Sequence, residues 1–76
     1  MRDYEQKILD AIIVEFKQTG KSVKIRKIAK RMGLPDDFVI DVCERLKKSK
    51  YIKYDNVADR TAPKNEYVYP TMQTLR

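Results

Sequence analysis

Apolar residues recur at helical spacing along this chain as far as Leu46, and from Tyr51 onward they alternate. That change of period divides the chain into a helical part and a strand part. Side chains three or four apart share a helix face, whereas side chains two apart share a strand face. Tyr4, Ile8, Ile12 and Phe16 recur every fourth residue, flanked by Leu9 and Ala11, and predict a helix over about residues 3–19. Asp3 is placed to cap its start, Glu5 suits the positive end of the helix dipole, and Gly20 supplies the stop. Ile13 and Val14 fall beside the main stripe, so either a later segment covers them or they face a partner chain.

Residues 21–24 read as a short extended link with Val23 as its one core candidate. Ile25, Ile28, Ala29 and Met32 make one face of a second helix, about 25–32. Arg26, Lys27, Lys30 and Arg31 make the other face, and Gly33 ends the helix in a position suited to a left-handed backbone. Pro35 or Asp36 can begin a third helix, about 36–49, with Val39, Val42, Cys43 and Leu46 on its apolar face. Lys47, Lys48 and Lys50 gather at its negative end, where cations are favoured. The run from Tyr51 to Tyr54 and the run from Tyr67 to Tyr69 predict two strands of a hairpin, separated by a polar loop containing Pro63. Pro70 ends the second strand. In the tail that follows, Met72 and Leu75 either fray or dock on the first helix.

A chain of 76 residues has room for one domain, 1–76, with a small core. Apolar residues make up 42% and charged residues 37%, the balance of a folded protein. The N-terminal residues do not read as a signal peptide, and there is no apolar run long enough to span a membrane. One cysteine cannot form an internal disulfide, so a reducing, cytoplasmic setting is expected. The net charge is +6, and its distribution is uneven. Residues 20–53 hold eleven bases and four acids, while the remainder holds six bases and seven acids. Such a basic segment suits a polyanion, nucleic acid first. Its plainer alternative is a solubilising surface.

From Ile28 to Ile52 the chain reads IAKRMGLPDDFVIDVCERLKKSKYI. This segment resembles the helix–turn–helix core of winged-helix proteins. The likeness lies in Ile28-Ala29, in Met32-Gly33-Leu34 through the turn, in Val39 and Leu46 on the third helix, and in Tyr51-Ile52 leading onward. It extends over about residues 4–70. Ala29 is small enough for a close helix crossing, Gly33 permits the sharp turn, and Leu34 fills the space between the helices. The resemblance implies an α+β, mainly helical winged helix–turn–helix fold, with three helices and then a two-stranded wing at about 51–69. It further implies that residues 35–45 meet a DNA major groove and residues 56–66 an adjacent groove or backbone. A small transcriptional regulator or a mobile-element accessory factor is the corresponding role.

Double-stranded DNA is therefore the expected partner, held mainly through phosphates. The candidate contacts are Arg26, Lys27, Lys30 and Arg31, then Arg45, Lys47, Lys48, Lys50 and Lys53, and then Arg60 and Lys64 on the wing. The third helix departs from the pattern. Its outward positions are Asp36, Asp37, Phe38, Ile40, Asp41 and Glu44, and carboxylates aimed at a phosphate-lined groove are repelled. Phe38 and Ile40 either fold back on the domain or form an acid-rimmed surface for a protein. A homodimer or other protein partner through that face, or through Ile13 and Val14, is the alternative to DNA. The hairpin tyrosines, Tyr51, Tyr54, Tyr67 and Tyr69, can stack on bases but more often hold strands together. Nothing points to an enzyme, a metal, a cofactor, a membrane or a small-molecule substrate. The chain has no histidine and no glycine-rich phosphate loop, and Cys43 falls on an apolar helix face.

Overall fold

The computed structural model describes residues 1–75; Arg76 lies outside the described residues. Helix α1 spans Asp3–Thr19, α2 Ile25–Met32, α3 Asp36–Lys48, and a one-turn α4 Met72–Leu75. Strands β1 (Val23–Lys24), β2 (Ile52–Tyr54) and β3 (Tyr67–Pro70) form one antiparallel sheet in the order β1-β3-β2. The fold is α+β and mainly helical.

The three long helices lie where the apolar spacing predicts. Ile8, Leu9 and Ile12 of α1 meet Ile28 and Ala29 of α2 and Val39, Val42, Cys43 and Leu46 of α3 in one buried cluster. Val23, Ile52 and Val68 of the sheet, with Ile25 at the start of α2, complete it. Ala29 is fully buried, as a small residue at a close approach of helices must be. Leu34 is partly buried and packs against the same cluster.

Three details differ from the expectations, in the sheet, at the start of α1 and in the C-terminal segment, whereas Pro70 ends its strand as expected. The hairpin is part of a three-stranded sheet, because the 21–24 link contributes β1, with Val23 opposite Val68 and Lys24 opposite Tyr67. A single apolar residue in a four-residue link carries no strand signature, and its partner lies more than forty residues on. Pro70 is the last residue of β3, opposite Ile52, and β3 is the central strand. It is tolerated because β1 pairs only with Tyr67 and Val68, leaving the far end of β3 open on that side. Asp3 does not cap α1. Arg2 is the capping residue, and the Glu5 carboxylate accepts the Arg2 backbone N–H at 3.1 Å.

The C-terminal segment folds back onto the start of β2 rather than onto α1. The Thr71 N–H and the Thr74 hydroxyl both donate to the Tyr51 carbonyl, at 3.1 and 2.7 Å. Met72 stays 80% exposed, so only Leu75 of the expected docking pair is partly covered.

The tight helical core sets a clear expectation. Ile28→Ala removes a fully buried side chain where three helices meet, and should cost about 2–5 kcal/mol in urea denaturation. Val14→Ala, at a half-exposed position, should change stability by no more than about 0.5 kcal/mol.

Candidate functional site

The four bases of α2 do not form one free patch. The Lys27 ammonium donates to Glu15 Oε2 at 2.9 Å. Arg31 Nη1 lies 2.8 Å from Glu15 Oε1, in ion-pair contact but without hydrogen-bond alignment. Arg26 reaches two acids, with Nη1 2.9 Å from Asp36 Oδ2 and Nε 3.0 Å from Glu66 Oε1. Glu15 and Glu66 are the buried charged residues of the described chain, 5% and 7% exposed. Burying a carboxylate is costly unless a cation meets it. Three of the four α2 bases therefore serve the fold, and Lys30 alone of the four has no carboxylate partner among the described residues.

Arg45 is likewise engaged. Its Nε lies 3.2 Å from Glu5 Oε2, and Nη2 donates weakly to the Tyr4 hydroxyl at 3.4 Å, tying α3 to the start of α1. The Arg2 backbone N–H, followed by Arg45, holds the Glu5 carboxyl below its ordinary range.

The remaining candidate bases have no ion pair among the described residues: Lys47, Lys48, Lys50, Lys53, Arg60 and Lys64. Lys47, Lys48, Lys50 and Lys53 line a single open groove between the end of α3, β2 and α4. Phe16, Tyr54, Tyr69 and the exposed Met72 line the same groove, giving it an apolar side. Arg60 and Lys64 stand on the β2–β3 loop. That loop is braced by two hydrogen bonds between Asn56 and Asn65, by Asp59 accepting from Thr61, and by Asp55 accepting from the Ser22 hydroxyl. The Ser22 contact anchors the loop base to the entry of β1 and, followed by the Val57 and Ala58 N–H groups, holds the Asp55 carboxyl below its ordinary range.

At the first turn of α3, Asp36 is half-buried and drawn to Arg26, so it does not project freely. Asp37, Asp41 and Glu44 remain exposed. Phe38 leans on Tyr4 of α1, ring centroids 5.3 Å apart, and is 36% exposed. Ile40 and Ile13 are partly buried against the core, and Val14 stands half-exposed by itself. The four apolar candidates for protein docking thus do not make one open patch.

The tyrosines divide by face. Tyr54 packs against the core, whereas the strand register sets Tyr67 opposite Lys24 and Tyr69 opposite Lys53. By alternation those four residues share the sheet face turned away from Val23 and Val68. Cys43 is buried, and its thiol is pushed up to about 12 by desolvation, which suits packing rather than chemistry. Among the described residues no cluster of histidine, cysteine or acidic side chains could hold a metal ion, and no helix is long and apolar enough to cross a membrane. Comparison with family models, with curated proteins and with solved structures gives no match.

Sequence reasoning named the bases but not their partners. The signal for Glu15 was present, since it lies three residues after Ile12 and seven after Ile8, on the apolar stripe itself. An acid at such a position has to find a cation. Glu66 precedes a strand and carries no comparable mark.

Glu15 links this site to pH. The Lys27 hydrogen bond, then the charges of Lys27 and Arg31, hold its carboxyl below the ordinary 4.5 despite opposing desolvation. A depressed carboxyl contributes stability that is complete above its unfolded value and is lost as pH falls through the folded one. The urea midpoint should therefore drop on acidification from about pH 5 to about pH 3, and Glu15→Gln should both lower the midpoint at neutral pH and flatten that drop.

Proposed function

We propose that this chain is a winged-helix domain that binds duplex DNA mainly through phosphate contacts. The element order supports the reading: a helix, a short strand, two helices joined by a tight turn, and a hairpin. So does the sheet order, in which β1 adds to the hairpin beside β3. The β2–β3 loop would then be the wing.

The observation that carries the proposal is the partition of charge. The buried acids take up Arg26, Lys27 and Arg31, while the lysines at the end of α3 and on β2, with the bases of the β2–β3 loop, stay unpaired among the described residues. Exposed cations grouped on one groove gain from releasing the counterions of a polyphosphate. The exposed acids Asp37, Asp41 and Glu44 on the first half of α3 disfavour deep entry of that half into a groove. The contact surface is accordingly assigned to the groove lysines Lys47, Lys48, Lys50 and Lys53, with Arg60 and Lys64 as contacts of the β2–β3 loop. Lys27 and Arg31 stay with Glu15.

Anisotropy titration of a random-sequence duplex across salt tests this directly. About six phosphate contacts predict that log affinity falls with log salt at a slope near −5. Changing Lys47, Lys48 and Lys53 together to Gln should weaken binding at least about tenfold while the chain stays folded, because none of them has a carboxylate partner to lose and only the modest dipole contribution of Lys47 and Lys48 is given up. Phe38→Ser should leave affinity nearly unchanged. Absence of binding at low salt would overturn the proposal.

A further inference from the structure

Helices α2 and α3 end in the same hydrogen-bonded turn. At the end of α2 the Gly33 N–H donates to Lys30 and the Leu34 N–H to Ala29, at 3.2 and 2.9 Å. At the end of α3 the Lys50 N–H donates to Lys47 and the Tyr51 N–H to Leu46, both at 3.0 Å. Each turn needs a residue in the left-handed region, with φ +68° at Gly33 and +66° at Lys50. Gly20, which closes α1, has φ +68° as well. Glycine is the residue that adopts this conformation without a Cβ clash. Two of the three long helices therefore end on glycine, while the third ends on an exposed lysine in a conformation that disfavours it.

The backbone does not call for a lysine there. Its carbonyl accepts the Thr71 hydroxyl at 2.9 Å, a contact any residue could make. Nor does the helix dipole explain it, since Lys47 and Lys48 already place cations in the last turn. The other non-glycine residue with positive φ, Asn65, is of a type that tolerates this region, and its side chain is bonded to Asn56. For Lys50 the side chain has no hydrogen bond or ion pair among the described residues, and it lines the groove with Lys47, Lys48 and Lys53. Strain kept at an exposed position is a mark of use elsewhere.

We infer that Lys50, one of the residues lining that groove, is a phosphate-contacting residue, retained at a cost to folding for its contact with the nucleic-acid backbone. This inference rests on the duplex-binding reading above and names the groove as the track of the sugar–phosphate chain.

The decisive variant is Lys50→Gly, measured for urea stability and for duplex affinity. Glycine relieves the left-handed strain, so the folding equilibrium constant should rise about two- to fivefold. Duplex affinity in about 0.1 M salt should fall roughly five- to tenfold, and the salt slope should lose about 0.9. Lys50→Arg should retain most of the affinity without the gain in stability. If wild type binds and Lys50→Gly binds equally, with an unchanged slope, Lys50 is no contact and this inference fails while the broader reading stands. A Lys50→Gly chain no more stable than wild type also overturns it, because the cost it assigns is then absent. If the wild type itself does not bind duplex, the broader reading falls and takes this one with it.

Discussion

Two buried carboxylates govern how the rest of this small domain is arranged. Glu15 stands on the core-facing stripe of α1, and Glu66 lies just before β3. Neither can be buried unpaired, and α2 supplies the cations, Lys27 and Arg31 to one and Arg26 to the other. The short α2, eight residues long, is thereby fixed on both sides, to α1 through Glu15 and to the sheet and α3 through Arg26. A helix of that length has little stability of its own and depends on such docking together with its buried Ile25, Ile28 and Ala29.

The same pairing redistributes the charge. In the linear chain the excess of bases spreads over residues 20–53. In three dimensions Arg26, Lys27 and Arg31 of α2 form a structural share, whereas the lysines at the end of α3 and on β2 have no ion pair among the described residues. Arg45, which by sequence belongs with the second group, joins the first through Glu5. Net charge alone therefore overstates the surface available to an anion, and the position of each base relative to the buried acids decides its role.

The helices were legible because their determinants are local. The apolar spacing of Tyr4 to Phe16, Ile25 to Met32 and Val39 to Leu46 needs no partner to be read, and Gly20 and Gly33 mark their own turns. What escaped was whatever depends on residues distant in sequence. Strand β1 exists because Tyr67 and Val68 pair with it, and a two-residue segment has no period to detect. The ion pairs of α2 bridge gaps of ten to about forty residues, and only the place of Glu15 on the stripe hinted at one of them. Phe38, open to either reading in the sequence, is drawn to Tyr4 across the helix pair. The left-handed end of α3 was hidden because lysine is not a residue from which such a turn is read.

The two shares of charge place opposite demands on a polyanion. A phosphate approaching α2 would compete with Glu15 for Lys27 and Arg31, and success would leave a carboxylate 5% exposed without its cations. Taking one partner from a buried ion pair is strongly unfavourable, so that face resists being recruited. The lysines beyond Leu46 carry no such obligation. They end a helix whose negative dipole end they complement, and they sit on a groove whose floor offers aromatic rather than acidic neighbours. Neutralising them from outside removes no internal contact among the described residues and relieves their mutual repulsion. Folding thus leaves one basic surface committed inward and a second facing solvent, and only the second can accept an anionic partner without taking apart the core that positions it.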